Sequence, residues 1–355
     1  MKTPPRFLSL LAATAAGAIL LTGCGGTATG SATTGASTGA ASSDTVTIYS
    51  ADGLADWYKP TFDAFTKETG IKVDYVEAGS GEVVSRAEKE KSNPQADLLV
   101  TLPPFIQKAE QSGLLQKSGV DLSAIPAKDK AADGEYVSLV NNYAAMIRNT
   151  TATPKPEAWT DLLADSQQGK IQYSTPGQAG DGTAMLILLQ KVYGKDGAMD
   201  YLKKLQKNNV GPSASTGKLG PKVSKGELTV ANSDVQMALA SIQNSKSAFE
   251  VFFPTNDAGK RTTVALPYVM GLAAQAPHKA GAEKLMAYLL STDVQSTVSS
   301  AALGLPVRSD VTPSDANFTA LTKLMDGVEV YQPVWDDVLS NLDTDIAAYN
   351  AATGQ

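Results

Sequence analysis

The sequence predicts an α/β fold, and three observations carry that prediction. Short β-branched or aliphatic runs at residues 45–50 (TVTIYS), 71–77 (IKVDYVE) and 97–101 (DLLVT) alternate with stretches whose apolar residues recur at helical spacing. The connections between them are short and rich in small residues. The same alternation restarts beyond a long apolar segment at 137–147 (VSLVNNYAAMI). Alternating strands and helices of this kind form open, largely parallel sheets with right-handed crossovers.

Residues 45–50 form the first strand. Ala51-Asp52-Gly53 turn the chain, and Leu54, Trp57, Phe62 and Phe65 mark a helix that Gly70 stops. Residues 71–77 make the second strand, 78–81 (AGSG) a small-residue loop, and 82–91 a charged helix closed by Asn93-Pro94. The third strand, 97–101, is broken by Pro103-Pro104. Ligands of such sheets bind beyond the carboxyl ends of the strands. The loops 50–53, 78–82 and 101–104 all fall there. The segment 137–147 reads either as a buried strand or as a connection between two lobes. Beyond it come a strand at 171–174, a Gly-rich loop at 177–182, a helix from Thr183, a strand at 227–231, a helix at 233–243 opened by Ser233-Asp234, and a run at 262–266 (TTVAL) before Pro267-Tyr268. The remainder reads as mainly helical: 279–290, 292–301, and several helices from Pro313 onward.

Composition bounds the function. The chain has 355 residues, 43% hydrophobic and 19% charged, enough for two domains with their own cores and too apolar for a disordered or fibrous chain. Thirty Lys and Arg against thirty-six Asp and Glu give a net charge of −6, which disfavours non-specific nucleic-acid binding. One Cys and one His exclude disulfide frameworks, Cys/His zinc sites and hydrolytic machinery built on several histidines. No catalytic residue, metal ligand or cofactor is therefore assigned.

Residues 1–6 carry Lys2 and Arg6 and no acid, and 7–21 are apolar and small. That run is too short and Ala-rich for a membrane span and suits an export signal, 1–23. It ends in Leu21-Thr22-Gly23-Cys24, which resembles the bacterial lipobox. The resemblance implies that Cys24 is lipidated and becomes the mature N-terminus; the other reading is a plain secretory signal with an incidental Cys. Residues 25–43 contain only Gly, Thr, Ala and Ser and read as a flexible tether. Together these place the protein outside the cytoplasm, lipid-anchored at the periplasmic face or outer surface of the membrane.

The stretches 47–53 (TIYSADG), 71–91 (IKVDYVEAGSGEVVSRAEKEK) and 94–105 (PQADLLVTLPPF) resemble the extracytoplasmic solute-binding proteins of ABC importers, in their ferric-iron-binding-like type II group. The runs 79–84, 89–94 and 100–105 resemble more narrowly the 2-aminoethylphosphonate-binding branch. The broad likeness covers residues 45 to about 310, and the C-terminal forty-five add nothing to it. It implies a two-lobed type II periplasmic-binding-protein fold, a hinged clamp with a cleft between the lobes. It further implies lobe 1 at 44–143 plus 265–355, lobe 2 at 144–264, a monomer, and an ABC permease as partner. Ferric binders of this group use adjacent Tyr hydroxyls. This chain has no Tyr-Tyr pair, and its expected strand-to-helix turn reads Val230-Ala231-Asn232-Ser233-Asp234. That departure argues against iron and for an organic or oxyanion ligand.

A phosphonate resembles phosphate in charge and acceptors and can be held by backbone N–H groups at a helix start. Ser80, Gly81 and Glu82 offer one such start. Asp181, Gly182, Thr183 and Ala184 offer another, where the resemblance implies an anion. Each also fits an ordinary Gly turn and cap. An ammonium wants carboxylates or an aromatic face. Asp52, Asp181 and Asp234 are candidates that fit Asx turns or helix caps equally well. Ser50 and Thr101 end strands at the binding edge, Asn232 lies in the expected turn, and Tyr143 and Tyr268 sit at the expected crossovers. Trp57 reads as core, His278 as a surface residue, and 86–91 as a solvated helix face or a permease-docking surface. Alternative ligands are ferric ion, a sugar phosphate, a polyamine or thiamine. Two other classes stay open: a sensor or scaffold with the same clamp, and a secreted carboxylate-based hydrolase, for which no acid pair stands out and aromatic platforms are few at 6%.

Overall fold

Two sheets organise the chain in the computed structural model, which describes residues 45–355. The export signal, Cys24 and the tether at 25–43 lie outside the described residues. The first sheet is nucleated by β1 (Thr45–Ala51), which pairs in parallel with β2 (Lys72–Ala78) and β3 (Leu98–Thr101). The helices α1 (Ala55–Thr69) and α2 (Ser80–Lys89) connect these strands. α1 buries Trp57, Tyr58, Phe62 and Phe65 and ends where Gly70, at φ 76°, returns its N–H to Thr66 O. After β3 come α3 (Phe105–Gln111), β4 (Leu115–Gln116) and β5 (Tyr136–Val140).

The second sheet contains β6 (Ala144–Asn149), β7 (Ile171–Gln172), β8 (Val230–Asp234) and β9 (Phe249–Phe252), ordered β7-β8-β6-β9. Its helices are α4 (Gly180–Leu205), kinked at Gly194, α5 (Gly220–Ser224) and α6 (Val235–Ser245). The chain then returns through β10 (Arg261–Val264) and β11 (Tyr268–Ala273). It finishes with α7 (Lys279–Leu289), α8 (Thr292–Ser296), α9 (Ala316–Leu324), β12 (Val328–Tyr331) and α10 (Trp335–Thr353).

Neither sheet is as parallel as the βα alternation predicts. β11 runs antiparallel to β3 on one side and to β4 and β5 on the other, and β6 runs antiparallel to both β8 and β9. The reason lies in the crossovers. β5 passes into β6, and β10 into β11, through three residues each. A link that short carries no helix back across the sheet. The segment 137–147 is thus strand, crossover and strand in succession. The two crossovers run side by side: Leu266 N donates to Asn142 O at 2.9 Å, and Tyr143 bridges Ala265. Residues 230–234, expected as a turn after a strand at 227–231, are themselves strand β8, and Asp234 then caps α6 by accepting from Met237 N at 2.7 Å.

The C-terminal segment lies against both sheets. β12 pairs in parallel with β10, Leu321 packs among Ala145, Val235 and Phe253, and α10 packs on both α3 and α4. No helix among the described residues is long and apolar enough to cross a membrane.

His278 is tied down rather than free. Asp97, fully buried, accepts from Thr47 N at 2.8 Å and His278 N at 2.6 Å, and lies 3.2 Å from His278 Nδ1. One carboxylate thereby joins the start of β1, the start of β3 and the N-terminus of α7. Asp97→Ala strands two backbone donors in the interior. It is expected to lower unfolding free energy by about 2–4 kcal/mol, read as a drop in the urea midpoint, with Asp97→Asn losing less. An unchanged midpoint for the alanine variant would refute this account.

Candidate functional site

The site starts at the carboxyl end of β1. Gly53 stands at φ 120°, and a Cβ there would lie 2.2 Å from Tyr268 Oη, so only glycine lets the loop sit over that ring. The Gly53 N–H donates to Glu77 Oε1 at 3.0 Å, and its carbonyl accepts from Gln236 Nε2 at 3.1 Å. The loop aims Asp52 across to the second sheet's side. There its Oδ2 accepts from Ser215 Oγ at 2.5 Å and from Gly217 N at 3.3 Å. Burial pushes the Asp52 carboxyl up from its ordinary range; Ser215, Gly217 and the charge of Lys218 oppose that, and Glu82 adds to it.

Beneath the loop, Tyr268 opens β11. Its Oη lies 2.9 Å from Asp52 O and 2.9 Å from Asp234 Oδ2. Asp234 is fully buried and its carboxyl is pushed up by burial, which the Met237 N–H and neighbouring donors only partly offset. Asp181, 4% exposed, stands in the first turn of α4. Burial and the nearby Asp234 drive its carboxyl well up, the Thr216 hydroxyl beside it acts in the opposite direction, and Oδ1 has no partner. Beside them is a closed polar knot. Ser174 N donates to Asn232 Oδ1 at 2.8 Å, and Ser174 Oγ accepts from Asn232 Nδ2 and from Thr216 Oγ1, both at 2.9 Å.

Beside the Asp52 loop opens a cleft of about 440 Å³, a size suited to a small solute. Asp52, Asp56 and Glu77 face it from one side, and Ser215, Gly217 and Lys218 from the other. One wall is acidic. The other carries the Lys218 ammonium, with Ser215 Oγ and Gly217 N donating across to Asp52.

Of the residues singled out from the sequence, the structure gathers Asp52, Asp181, Asn232, Asp234 and Tyr268 at this junction. Others turn elsewhere. Ser50 Oγ bonds Ala51 O and Tyr58 Oη inside the first sheet's core. Thr101 Oγ1 donates to Ser80 O at 3.2 Å, and Tyr143 packs with Ala145, Val235 and Leu321. Thr183 spends its hydroxyl within its own turn, donating to Ala179 O and accepting from Gly177 N, each at 2.9 Å. Ala184 is core, and a Cβ on Gly182 would strike Ser174 O at 2.1 Å.

The two Gly loops do face one another, but in direct contact. Gly81 N donates to Gln178 O at 2.8 Å, and a Cβ on Gly180 would meet Leu102 and Ser80 Oγ. The Gly81 amide serves the meeting of the loops, while Glu82 stands exposed beside it. The run at 213–218 (SASTGK) is the contribution that reading for strands and helices passes over. Its signal is a cluster of hydroxyls, a glycine and a lysine in an irregular segment. Among the described residues, the acids that converge as closely as metal ligands must are Glu110, Asp133 and Glu135, and the site acids do not.

A family model, the bacterial extracellular solute-binding proteins, matches residues 49–296. A periplasmic protein of Salmonella typhimurium, provisionally named for binding 2-aminoethylphosphonate, is 49% identical over 319 residues, covering 88% of this chain and 93% of its own. In fold the chain is similar to a periplasmic thiamin-binding protein (TM-score 0.74, 21% identity, 88% of this chain and 96% of that one). It is also similar to the apo ferric ion-binding protein A of Pasteurella haemolytica (TM-score 0.67, 20% identity, 87% and 98%). The architecture is thus the two-lobed type II periplasmic-binding-protein fold, and the chain belongs to the bacterial extracellular solute-binding proteins.

Proposed function

We propose that this protein captures 2-aminoethylphosphonate outside the cytoplasm and delivers it to an ABC permease. One observation carries the ligand reading: Asp181 and Asp234 are buried near Tyr268, Asp52 is half-buried beside it, and among the described residues no basic side chain is hydrogen-bonded to any of them. Burying several acids without a counter-charge is unfavourable. An ammonium supplied by the ligand offsets it. The same cleft presents the Lys218 ammonium, a positive charge suited to a phosphonate, while Ser215 Oγ and Gly217 N are given to Asp52. The name of the Salmonella relative supports this choice.

The mechanism is a population shift. A ligand that touches the Asp52 loop and the 213–218 segment at once binds the closed arrangement better than the open one, and that difference in affinity favours closure. The lobes are residues 44–143 plus 265–355 and residues 144–264, hinged at the paired crossovers. The chain acts as a monomeric binding protein with no catalytic step, held at the membrane through lipidated Cys24 and the tether at 25–43. A ferric reading fares worse: Tyr268 has no tyrosine partner at the site, and burial together with the nearby acids keeps its phenol neutral.

Calorimetric titration is expected to show 2-aminoethylphosphonate saturating at one ligand per chain, with ethylphosphonate, which lacks the amine, bound far more weakly. Saturation by ferric ion with no heat from the phosphonate would reverse the assignment. Asp52→Asn is expected to weaken 2-aminoethylphosphonate binding by about 1.5–3 kcal/mol, the range for a hydrogen bond to a charged group, and to leave the residual ethylphosphonate affinity unchanged. Equal losses for both ligands would remove Asp52 from the ammonium end.

A further inference from the structure

Tyr268 presents a problem of proton counting. Its hydroxyl has one hydrogen, yet two oxygens, Asp52 O and Asp234 Oδ2, each lie 2.9 Å away. With Asp234 ionised, the phenol can donate to only one of them, and the other contact brings two lone pairs together. With a proton on Asp234 Oδ2, every contact is satisfied in one direction: Asp234 donates to Tyr268 Oη, and Tyr268 donates to Asp52 O. Asp234 Oδ1 remains the acceptor of the Met237 N–H at 2.7 Å.

The surroundings favour that proton. Asp234 is fully buried. The titratable groups facing it are Asp181 from α4, Asp52 from the loop after β1, and Tyr268 from β11. Asn142, from the crossover before β6, and Gln236, from α6, are neutral. Lys218 and Glu82 act on Asp52 at the cleft, with opposite signs. Asp181 is itself buried, with Oδ1 unpartnered. Burial drives both carboxyls upward, in line with the geometry.

We propose that Asp234 carries a proton before ligand binds, passes its hydrogen bond through Tyr268 to the Asp52 carbonyl, and releases that proton to solvent when a cationic ligand group docks at Asp52. The balance is simple: one ammonium enters, one O–H bond on Asp234 breaks, and one proton leaves to buffer, so the site's charge is conserved. Asp234 is then a positioning and selectivity residue. It holds Tyr268 and the Asp52 loop in place while the site is empty of cation, and supplies a negative charge only when one arrives. The sign follows from linkage: a bound cation stabilises the ionised acid, so affinity rises with pH between the group's liganded and unliganded titrations, by up to about tenfold per pH unit. This rests on the ligand reading above.

Asp234→Asn is the matched test, because its amide nitrogen can donate to Tyr268 while its oxygen accepts from Met237, as the protonated acid does. In infrared difference spectra of wild type minus Asp234→Asn, without ligand at neutral pH, a protonated-carboxyl C=O band is expected; its absence would overturn the proposal. Titrations of 2-aminoethylphosphonate in two buffers of different ionisation enthalpy should show about one more proton released by wild type than by the variant. The subtraction cancels protons that belong to the phosphonate itself. Equal release by both proteins would also overturn it. If 2-aminoethylphosphonate gives no heat with either protein, the ligand reading fails, and the infrared band alone decides whether Asp234 holds the proton.

Discussion

The reach of Asp52 from the end of β1 to Ser215 and Gly217 is the contact on which the rest of the site depends. It is possible only because the chain turns sharply at Gly53 and because Tyr268 lies close beneath, where a side chain at 53 would displace it. The loop is therefore built from three parts of the sequence: the end of the first strand, the start of β11, and an irregular segment between α4 and α5. Each is held by its own element, so the carboxylate is aimed by the fold rather than by local turn preference.

The same parts that aim Asp52 also couple the halves of the molecule. Gln236, at the start of α6, donates to Gly53 O and to Ala302 O, and Gly81 N reaches Gln178 O. These are a few ordinary hydrogen bonds, each contributing about 0.5–1.5 kcal/mol net. They add to the packing of α10 on α3 and α4 and of Leu321 among Ala145, Val235 and Phe253. Two short crossovers run alongside: three residues link each pair of strands, and Leu266 N donates to Asn142 O between the two links.

Much of this was legible in the residues. The strands β1 to β3 and the helices α1 and α2 fall within one to three residues of where periodicity places them, because each buries one face against one core and local pattern reports that directly. Asp52 was legible as a candidate because it follows the first strand, Asp234 because it opens a helix, and Tyr268 because the family resemblance puts it at a crossover. Thr101 and Ser50, at strand ends, and Thr183, at a helix start, looked equally good. What separates them is where each hydroxyl spends its hydrogen bond: on Ala179, Ser80 and Tyr58, partners that no spacing rule identifies. The 213–218 segment has no periodicity at all, and its place at the cleft comes from where α4 and α5 leave their ends.

The sequence by itself determined the α/β fold class, the strand and helix order around the first sheet, and the presence of only one histidine and one cysteine. Those follow from hydrophobic period, strand-ending glycines and composition, all of which are local properties. Only the tertiary structure decided the antiparallel entry of β11, the direct contact of the two glycine loops, and the gathering of three acids around Tyr268. These depend on residues from tens to more than a hundred positions apart meeting in space, and the energetics of a buried carboxylate are set by what surrounds it rather than by what precedes it in the chain.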